Sequence, residues 1–298
     1  MKNIIFLLFL SWILYFFSKT IYTNYDKIKD FEFSFNFMYL FISIIFYFLF
    51  FLSLTLLWKY LLNEKKIAFR DIFYINSVSW ISKYLPGKVA MILTKVLYLS
   101  EKWIPKRTSF ISCIYEHIFQ IIASFFISFP FIIYYFLWTQ NSSYILLSWI
   151  FFLWFTLAIH PFIFNNTLNI LLKILKKEPV EKKQFLWVFS IIKYIFWYSL
   201  SMILKGLSFV FLVFSITSIW IWDIPFLIFA WVFAGVVGIV SVFAPNGLWV
   251  REWVLAFLLQ FILPVEISII ISILSRLWST LCDGLIWLYV GEEKLRNK

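Results

Sequence analysis

Long uninterrupted apolar runs are the feature of this sequence that most restricts its fold. Several runs reach the ~20 residues that an α-helix needs to cross a hydrocarbon layer about 30 Å thick. Hydrophobic residues make up 63% and charged residues 14% of the 298 positions, whereas soluble domains are about half apolar and about a quarter charged. A soluble helical domain with these runs would expose helices that are apolar on every face. The sequence predicts an all-α polytopic membrane protein, with one integral-membrane domain over residues 1–298.

We predict about seven or eight transmembrane helices. The continuous apolar runs are 3–18, 37–58, 110–137, 143–164, 186–219, 225–243 and 267–290. Two further segments, 72–99 and 246–263, are interrupted by Pro and Gly. The first run is predicted to be a retained span rather than a signal peptide, because Lys19 and Tyr22 follow it in place of a small-residue cleavage site.

The Lys and Arg residues between the runs predict the orientation of the chain. The basic connections are 59–71, 100–107, 165–185 and the C-terminal tail, whereas 139–143, 220–223 and 263–266 contain no Lys or Arg. Lys/Arg excess marks the cytoplasmic side, so both termini are predicted to be cytoplasmic, in the cytoplasmic membrane. This order requires 72–99 to enter and leave on the same side. In the alternative topology, 186–219 forms two short spans and the C-terminal tail lies outside.

The two interrupted segments contain similar turns. The first is "YLPGK", with Pro86 and Gly87, and the second is "APNGLWVRE", with Pro245 and Gly247. Non-helical backbone at membrane depth is tolerated where protein or a watery cavity receives it. We predict two re-entrant segments that approach each other from opposite sides. This is the arrangement of an inverted repeat, with halves 1–164 and 186–298 joined by a cytoplasmic amphipathic linker over 165–185.

The spacing of charged residues after the two turns agrees with a repeat. Glu116 follows Gly87 by 29 positions, and Arg276 follows Gly247 by the same number. Similarity between the two halves is otherwise weak at the level of single residues.

Ionisable residues inside or beside the apolar runs are expected to face a cavity or one another, because each costs at least about 2.5–3.5 kcal/mol in the bilayer. The cations outnumber the anions by three, and the two sets are Lys83, Lys88, Lys95, Lys205, Arg251 and Arg276 against Glu116, Glu252 and Asp283. Such a surplus of positive charge favours the binding of an anionic ligand. Phosphate suits both the fork of Arg and the point charge of Lys.

Polar residues at helical spacing extend these charged positions along helix faces. Lys88, Lys95 and Lys102 recur every seven residues. The other faces are Asn76, Ser79 and Lys83; Glu116, Gln120 and Ser124; and Arg276, Ser279, Thr280 and Asp283. The predicted substrate-binding residues are Lys83, Lys88, Lys95, Glu116, Arg251, Glu252, Arg276 and Asp283. Lys205 is left out of this site because it fits a snorkelling side chain in a tilted helix.

Simpler interpretations of these charges stay open. Lys83, Lys88 and Lys95 would reach the inner surface by snorkelling from a shallow hairpin. Structural ion pairs would join Glu116 to Arg276, or Arg251 to Glu252. No metal or cofactor is expected, since the two cysteines lie far apart in apolar runs without metal-ligand spacing. Nucleic acid is not expected as a partner either, because the net charge of +11 is explained by cytoplasmic basic segments that attract anionic lipids.

The two turns resemble those of the lysylphosphatidylglycerol synthase transmembrane-region family of flippase-like membrane proteins. The first matching pattern is the basic-Tyr-Leu-Pro-Gly-Lys turn over 83–88, followed by an acidic residue in the next span, here Glu116. The second is the Pro-x-Gly-x-x-x-Arg-Glu turn over 245–252, followed by an arginine in the last span, here Arg276. The sequence departs from the family at Asn246 and Trp249, where a small residue is frequent.

The resemblance implies a flippase or scramblase-like transporter of an anionic phospholipid or a polyprenyl-phosphate-linked lipid. Lys88, Arg251 and Arg276 would hold phosphate, and Glu116 and Glu252 would orient these cations or relay a proton. A stand-alone member without the aminoacyl transferase domain is expected, because the chain continues only to Lys298. No ATP-binding motif is present, so net transport would be downhill or ion-coupled. Homo-oligomerisation and association with a glycosyltransferase or lipid synthase are also compatible with this function.

Two alternatives to transport stay open. One is an accessory subunit of a cell-envelope lipid or glycan synthase. The other is an integral-membrane glycosyltransferase using a polyprenyl-phosphate sugar, for which the outer loop "DKIKDFE" offers Asp26, Asp30 and Glu32. Three acids beside two lysines in a short loop are also typical of a solvated surface, and an enzyme is not the favoured prediction.

Overall fold

The computed structural model describes residues 22, 36–63, 67–83, 90–138, 161–174, 186–240 and 250–296. Its α-helices in chain order are α1 (Phe37–Leu62), α2 (Phe69–Ser82), α3 (Ala90–Glu101), α4 (Lys106–Trp138), α5 (Pro161–Ile174), α6 (Val188–Phe214), α7 (Ile224–Val240), α8 (Val250–Leu259) and α9 (Val265–Arg296). A single 3-10 turn, Ile221–Asp223, precedes α7. Over these ranges the regular structure is entirely helical, which confirms the all-α prediction.

Five of the described helical segments are long and apolar enough to cross a membrane. They correspond to α1, α4, α6, α7 with its preceding 3-10 turn, and α9. The chain is therefore a multi-pass membrane protein. The predicted span 3–18 and most of 143–164 lie outside the described residues. The segment 186–219 contains one continuous helix of 27 residues, so the alternative with two short spans is wrong.

Helices α1 and α6 form an antiparallel pair at the centre of the fold. The backbone N–H of Asn36 donates to the carbonyl of Ser215 at 2.9 Å, and further along the helices Ser53 donates to Ser201 at 2.9 Å. Between them, the hydroxyl of Ser43 donates to the carbonyl of Ser208 at 2.6 Å, and the Ser208 hydroxyl returns a 2.8 Å bond to the Ser43 carbonyl. Small hydroxyl residues allow such close approach between membrane helices.

Two shorter helix hairpins pack beside this central pair. In the first, α2 and α3 run antiparallel, because Lys102 contacts Asp71 at 3.2 Å and Thr94 donates to Ser82 at 3.2 Å. These helices have 14 and 12 residues, which gives lengths of about 21 and 18 Å. Each is shorter than the ~30 Å hydrocarbon layer. The turn between them, with Pro86, Gly87 and Lys88, lies outside the described residues.

The second hairpin is formed by α7 and α8. Its helices also run antiparallel, since Arg251 lies over the ring of Trp231 and Phe261 packs on Phe226. The turn with Pro245 and Gly247 lies outside the described residues. Whether the two turns are re-entrant therefore stays a prediction.

Eight of the nine described α-helices, all except α5, fall into two sets of four with similar lengths and partly similar contacts. The lengths are 26, 14, 12 and 33 residues for α1 to α4, and 27, 17, 10 and 32 for α6 to α9. Helix α2 packs on α9 just as α7 packs on α4, and the pair α3–α4 corresponds to α8–α9. The correspondence is partial, because α4 packs more extensively on α1 and α6 than α9 does on α6 and α1.

Helix α5 occupies the start of the predicted amphipathic linker. Its buried Asn165 accepts from the backbone N–H of Leu186 and from the hydroxyl of Tyr115, both at 3.4 Å. Phe162, Ile170 and Ile174 are exposed on the same helix, as expected for a helix that rests on a membrane surface. Residues 175–185 of the linker lie outside the described ranges, so the complete amphipathic helix stays a prediction.

A close contact between α6 and α7 gives the first testable prediction. A Cβ atom at Gly206 would lie 2.7 Å from Cγ2 and 3.2 Å from Cα of Ile228. Gly206→Ala is expected to lower the free energy of unfolding by about 1–2 kcal/mol, since overpacking exceeds the gain in helix propensity. Gly235→Ala is the matched control, because a Cβ atom there has no neighbour within 4 Å. Unfolding in mixed micelles checks both variants, and equal stability of the two would contradict the predicted clash.

Candidate functional site

The carboxylate of Asp283 connects three helices through short polar contacts. Its Oδ1 atom accepts from the Tyr47 hydroxyl at 2.6 Å and from the Trp80 indole N–H at 2.8 Å. Its Oδ2 atom lies 2.7 Å from the ammonium of Lys83. Asp283 belongs to α9, Tyr47 to α1, and Trp80 to α2, with Lys83 directly after α2. Both oxygens of this carboxylate have partners, and these contacts fix the C-terminal end of α2 against α1 and α9.

Beside this carboxylate lies what we call the cationic cluster, which is formed by four cations: Lys83, Lys205, Arg251 and Arg276. Lys83 lies within electrostatic range of Asp283, Arg276 and Arg251. Lys205 lies within range of all three other members and of Asp283. The four side chains come from the end of α2, the middle of α6, the start of α8, and α9. The C-terminal end of α2 and the N-terminal end of α8 therefore place cations in the same region.

A second carboxylate, that of Glu252, is held at the edge of the cationic cluster. Arg276 Nη1 lies 3.6 Å from Glu252 Oε1. Both side chains are largely removed from solvent, with 8% and 13% exposure. The cluster thus combines four cations with two carboxylates in the described part of the chain, which leaves a formal surplus of two positive charges. Such a surplus at membrane depth favours an anionic ligand.

Aromatic rings line the cationic cluster. The ammonium of Lys83 lies 4.3 Å from the ring centroid of Trp80, and the guanidinium of Arg251 lies 4.0 Å from that of Trp231. Lys205 lies 5.0 Å from the ring of Phe50 and 6.0 Å from that of Trp80. Cation–π contacts of this kind contribute about 0.5–2 kcal/mol. They stabilise cations that are only partly exposed.

A second charged pair is sealed from solvent between α3 and α4. Lys95 Nζ lies 2.6 Å from Glu116 Oε2, and both side chains are 0% exposed. The same ammonium lies 3.9 Å from the ring of Trp58, and Gln120 donates to Glu116 at 3.4 Å. This pair holds the first hairpin against α4, whereas the Glu252–Arg276 pair holds the second hairpin against α9. In the first pair the base lies on the hairpin and the acid on the long helix. In the second pair the acid lies on the hairpin and the base on the long helix.

The predicted site residues separate into two groups in the structure. Lys83, Arg251, Glu252, Arg276 and Asp283 lie together in and around the cationic cluster. Lys95 and Glu116 form the sealed pair and face each other rather than an open space. Glu116 is thus joined to Lys95, and the interpretation that pairs it with Arg276 is wrong. Lys88 and the four predicted turn residues lie outside the described ranges.

The seven-residue lysine series does not form one continuous helix face. Helix α3 ends at Glu101, so Lys102 lies beyond the helix and contacts Asp71 with about half of each side chain exposed. Lys95 points into the protein from the same helix. Residues seven positions apart share a helix face only if the helix continues between them. Helix α3 ends between Lys95 and Lys102, so these two lysines do not share a face.

The hydroxyl groups near the charged residues are bonded within their own helices. Ser279 and Thr280 both donate to the carbonyl of Arg276 at 2.9 Å. Ser124 donates to the carbonyl of Gln120 at 2.7 Å. Back-bonding of this kind is common for Ser and Thr in membrane helices, so these hydroxyls are satisfied without a ligand.

The structure brings three residues to the site that the sequence pattern does not assign to it. Lys205 was recognisable from its charge within an apolar run, but it fitted a snorkelling side chain equally well. Tyr47 and Trp80 carried no distinguishing signal, because the sequence contains 16 Tyr and 16 Trp residues. Their role follows from contact with Asp283, which is 236 and 203 positions away.

The Tyr47 contact gives a second testable prediction. Tyr47→Phe is expected to lower the free energy of unfolding by about 1.5–3 kcal/mol, because it removes a hydrogen bond to a charged carboxylate. Tyr39→Phe on the same helix is the control, since Tyr39 makes ring contacts with Phe211 and Phe214 that the substitution keeps. Unfolding in mixed micelles measures both. Equal stability of the two variants would show that the Tyr47 hydroxyl adds nothing to the Asp283 contact.

Comparison with known proteins gives one family match. Residues 3–286 match the family described as Lysylphosphatidylglycerol synthase TM region. No curated protein and no solved structure shows a significant match to the sequence. The match covers both turns, both hairpins and all residues of the cationic cluster. The chain is a multi-pass membrane protein of lipid-related function and belongs to the lysylphosphatidylglycerol synthase transmembrane-region family.

Proposed function

We propose that the protein is a flippase or scramblase-like transporter that moves an anionic phospholipid or a polyprenyl-phosphate-linked lipid across the cytoplasmic membrane. The single observation that carries this proposal is the convergence of four cations from four helices on one place inside a membrane protein. The cluster has more cations than carboxylates in the described part of the chain, so an anionic headgroup would be stabilised there. The family membership supports a lipid as the bearer of that headgroup.

In this proposal, the lipid phosphate enters between the C-terminal end of α2 and the N-terminal end of α8, while its chains stay in the bilayer. Arg251 and Arg276 offer guanidinium forks to the phosphate oxygens, and Lys83 adds a point charge. Lys88, which the sequence predicts to bind the same phosphate, lies outside the described residues. Glu252 and Asp283 orient Arg276 and Lys83, so that these cations do not collapse onto other acceptors before the lipid arrives.

The matching arrangement of the two helix sets supports an inverted repeat. The antiparallel pair of α1 and α6 would lie near its axis, and the two hairpins would approach from opposite sides. Alternating access of the cluster to the two leaflets would then follow from similar movements of similar halves. The sealed Lys95–Glu116 pair would keep the first hairpin attached to α4 during this movement.

The basic connections support a proposed orientation of the protein. Lys102 and Asp71 lie at the end of the first hairpin that carries the Lys/Arg-rich segments, which we assign to the cytoplasm. Asn36 and Ser215 lie together at the opposite end of the central pair, next to the segment 220–223 without Lys or Arg. We assign this end to the outside, with both termini cytoplasmic.

Reconstitution tests the transport proposal. Purified protein in liposomes is given a headgroup-labelled fluorescent phosphatidylglycerol, and an impermeant quencher reports the labelled fraction in the outer leaflet. The proposal predicts protein-dependent loss of the protected inner-leaflet signal, with a smaller effect on phosphatidylcholine carrying the label on an acyl chain. If folded protein leaves the protected fraction of every anionic lipid tested unchanged, including a polyprenyl phosphate, the transport proposal is wrong.

A further inference from the structure

Lys205 occupies a position in the cationic cluster that its neighbours do not share. It lies 9 residues before the end of α6 and 17 residues after its start, or about 14 and 26 Å along the helix axis. Within the described residues, no carboxylate lies at ion-pair distance from its ammonium. Its nearest charged neighbours include three cations, Lys83, Arg251 and Arg276, against one carboxylate, that of Asp283.

The two carboxylates of the cluster are already engaged with other cations. Asp283 contacts Lys83 at 2.7 Å, and Glu252 contacts Arg276 at 3.6 Å. The aromatic contacts of Lys205 with Phe50 and Trp80 are longer than those of Lys83 and Arg251 with their rings. Among the described residues, Lys205 thus has no carboxylate at ion-pair distance and is contacted by these two rings only at 5.0 and 6.0 Å.

We propose that the cationic cluster selects a lipid phosphomonoester over a phosphodiester, and that Lys205 determines this selectivity. The inference rests on the proposed function and names the class of headgroup within it. The cluster carries a formal surplus of two positive charges in the described residues. A phosphomonoester carries about −1.5 to −2 at neutral pH, whereas a phosphodiester carries one negative charge. A phosphomonoester therefore matches the surplus.

The number of phosphate oxygens leads to the same selection. A phosphomonoester has three terminal oxygens that accept hydrogen bonds, and a phosphodiester has two. The cations come from the end of α2 and from α6, α8 and α9, so a phosphate held among them would be contacted from more than one helix. A third terminal oxygen gives the ammonium of Lys205 an acceptor in addition to those taken by the two arginines. The depth of Lys205 in α6 favours a phosphate attached to a lipid chain over a soluble phosphate.

Lipid binding to the purified protein in detergent tests this inference separately from transport. Native mass spectrometry measures the affinities for phosphatidic acid and phosphatidylglycerol with identical acyl chains, at a pH of about 8, where the phosphomonoester is mainly dianionic. We expect phosphatidic acid to bind at least about tenfold more tightly, as one additional charge-assisted contact implies. Lys205→Met is expected to reduce this preference to about twofold or less, and Lys205→Arg to retain it.

Lys193→Met is the matched control, because Lys193 lies exposed on the same helix and its loss should leave the preference unchanged. Equal affinity for the two lipids, or a preference that persists in Lys205→Met, would overturn the inference. Complete displacement of phosphatidic acid by millimolar inorganic phosphate would also overturn it, because the site would then serve a soluble anion. Selective binding without translocation in liposomes would refute the transport proposal and leave this inference standing.

Discussion

Glu116→Gln is expected to lower the free energy of unfolding by about 3–5 kcal/mol, because it leaves the buried ammonium of Lys95 without its carboxylate. Both side chains are fully removed from solvent at a separation of 2.6 Å, so water cannot compensate for the loss. The remaining neighbours, the Trp58 ring and Gln120, do not neutralise the charge. Equilibrium unfolding in mixed detergent micelles measures the change.

The pair between Lys102 and Asp71 provides the control for this prediction. Its atoms lie 3.2 Å apart with about half of each side chain exposed, so Asp71→Asn should cost no more than about 1 kcal/mol. Replacing Lys95 and Glu116 together by Met and Leu should recover much of the stability lost in Glu116→Gln, since no unpaired charge remains. Equal stability of the Glu116→Gln and Asp71→Asn variants would contradict the prediction that Lys95 is buried at a high cost without its carboxylate partner.

Arg251→Gln is expected to reduce anionic-lipid translocation by about 10–100-fold, because it removes a charge-assisted donor from the proposed phosphate site. Its guanidinium lies over Trp231 at the start of α8, so Gln can retain part of the packing. Initial rates in the liposome quenching assay measure the effect, after circular dichroism has shown an unchanged helix content.

Arg70→Gln is the matched control for the Arg251 substitution. Arg70 lies exposed at the start of α2, at the basic end of the first hairpin, and its loss should change the rate less than twofold. Arg251→Lys should retain an intermediate rate, since the charge remains but the planar fork is lost. Equal rates for Arg251→Gln and the unmodified protein would show that Arg251 does not contribute to translocation.

The sequence predicted the helical architecture well because hydrophobic length has a direct physical meaning in a bilayer. The run 186–219 became the single helix Val188–Phe214, and the run 267–290 lies inside Val265–Arg296. Segment 72–99 contains two separate helices, α2 and α3, as expected from a sequence with Pro and Gly, which both disfavour a continuous helix. These features depend on local composition, which a single sequence contains.

The partners of the charged residues could not be predicted in the same way. Charge and depth indicated that Glu116 required a cation, but Lys95 and Arg276 were both available from sequence. The choice depends on which helices pack together, and α4 receives α3 as its neighbour. The contact of Asp283 with Tyr47 and Trp80 depends likewise on α9 packing against α1 and α2. Long-range packing of this kind leaves no periodic signal in the chain.

The central claim, that the cationic cluster receives a lipid phosphate, is tested most directly by photocrosslinking. A phosphatidic acid analogue with a photoreactive group beside its phosphate is irradiated with the protein in bilayers, and peptide mass spectrometry locates the adducts. The account predicts adducts concentrated near Lys83, Lys205, Arg251 and Arg276, and reduced in Arg251→Gln. Adducts confined to the lipid-facing surfaces of the helices, and equal in both proteins, would contradict it.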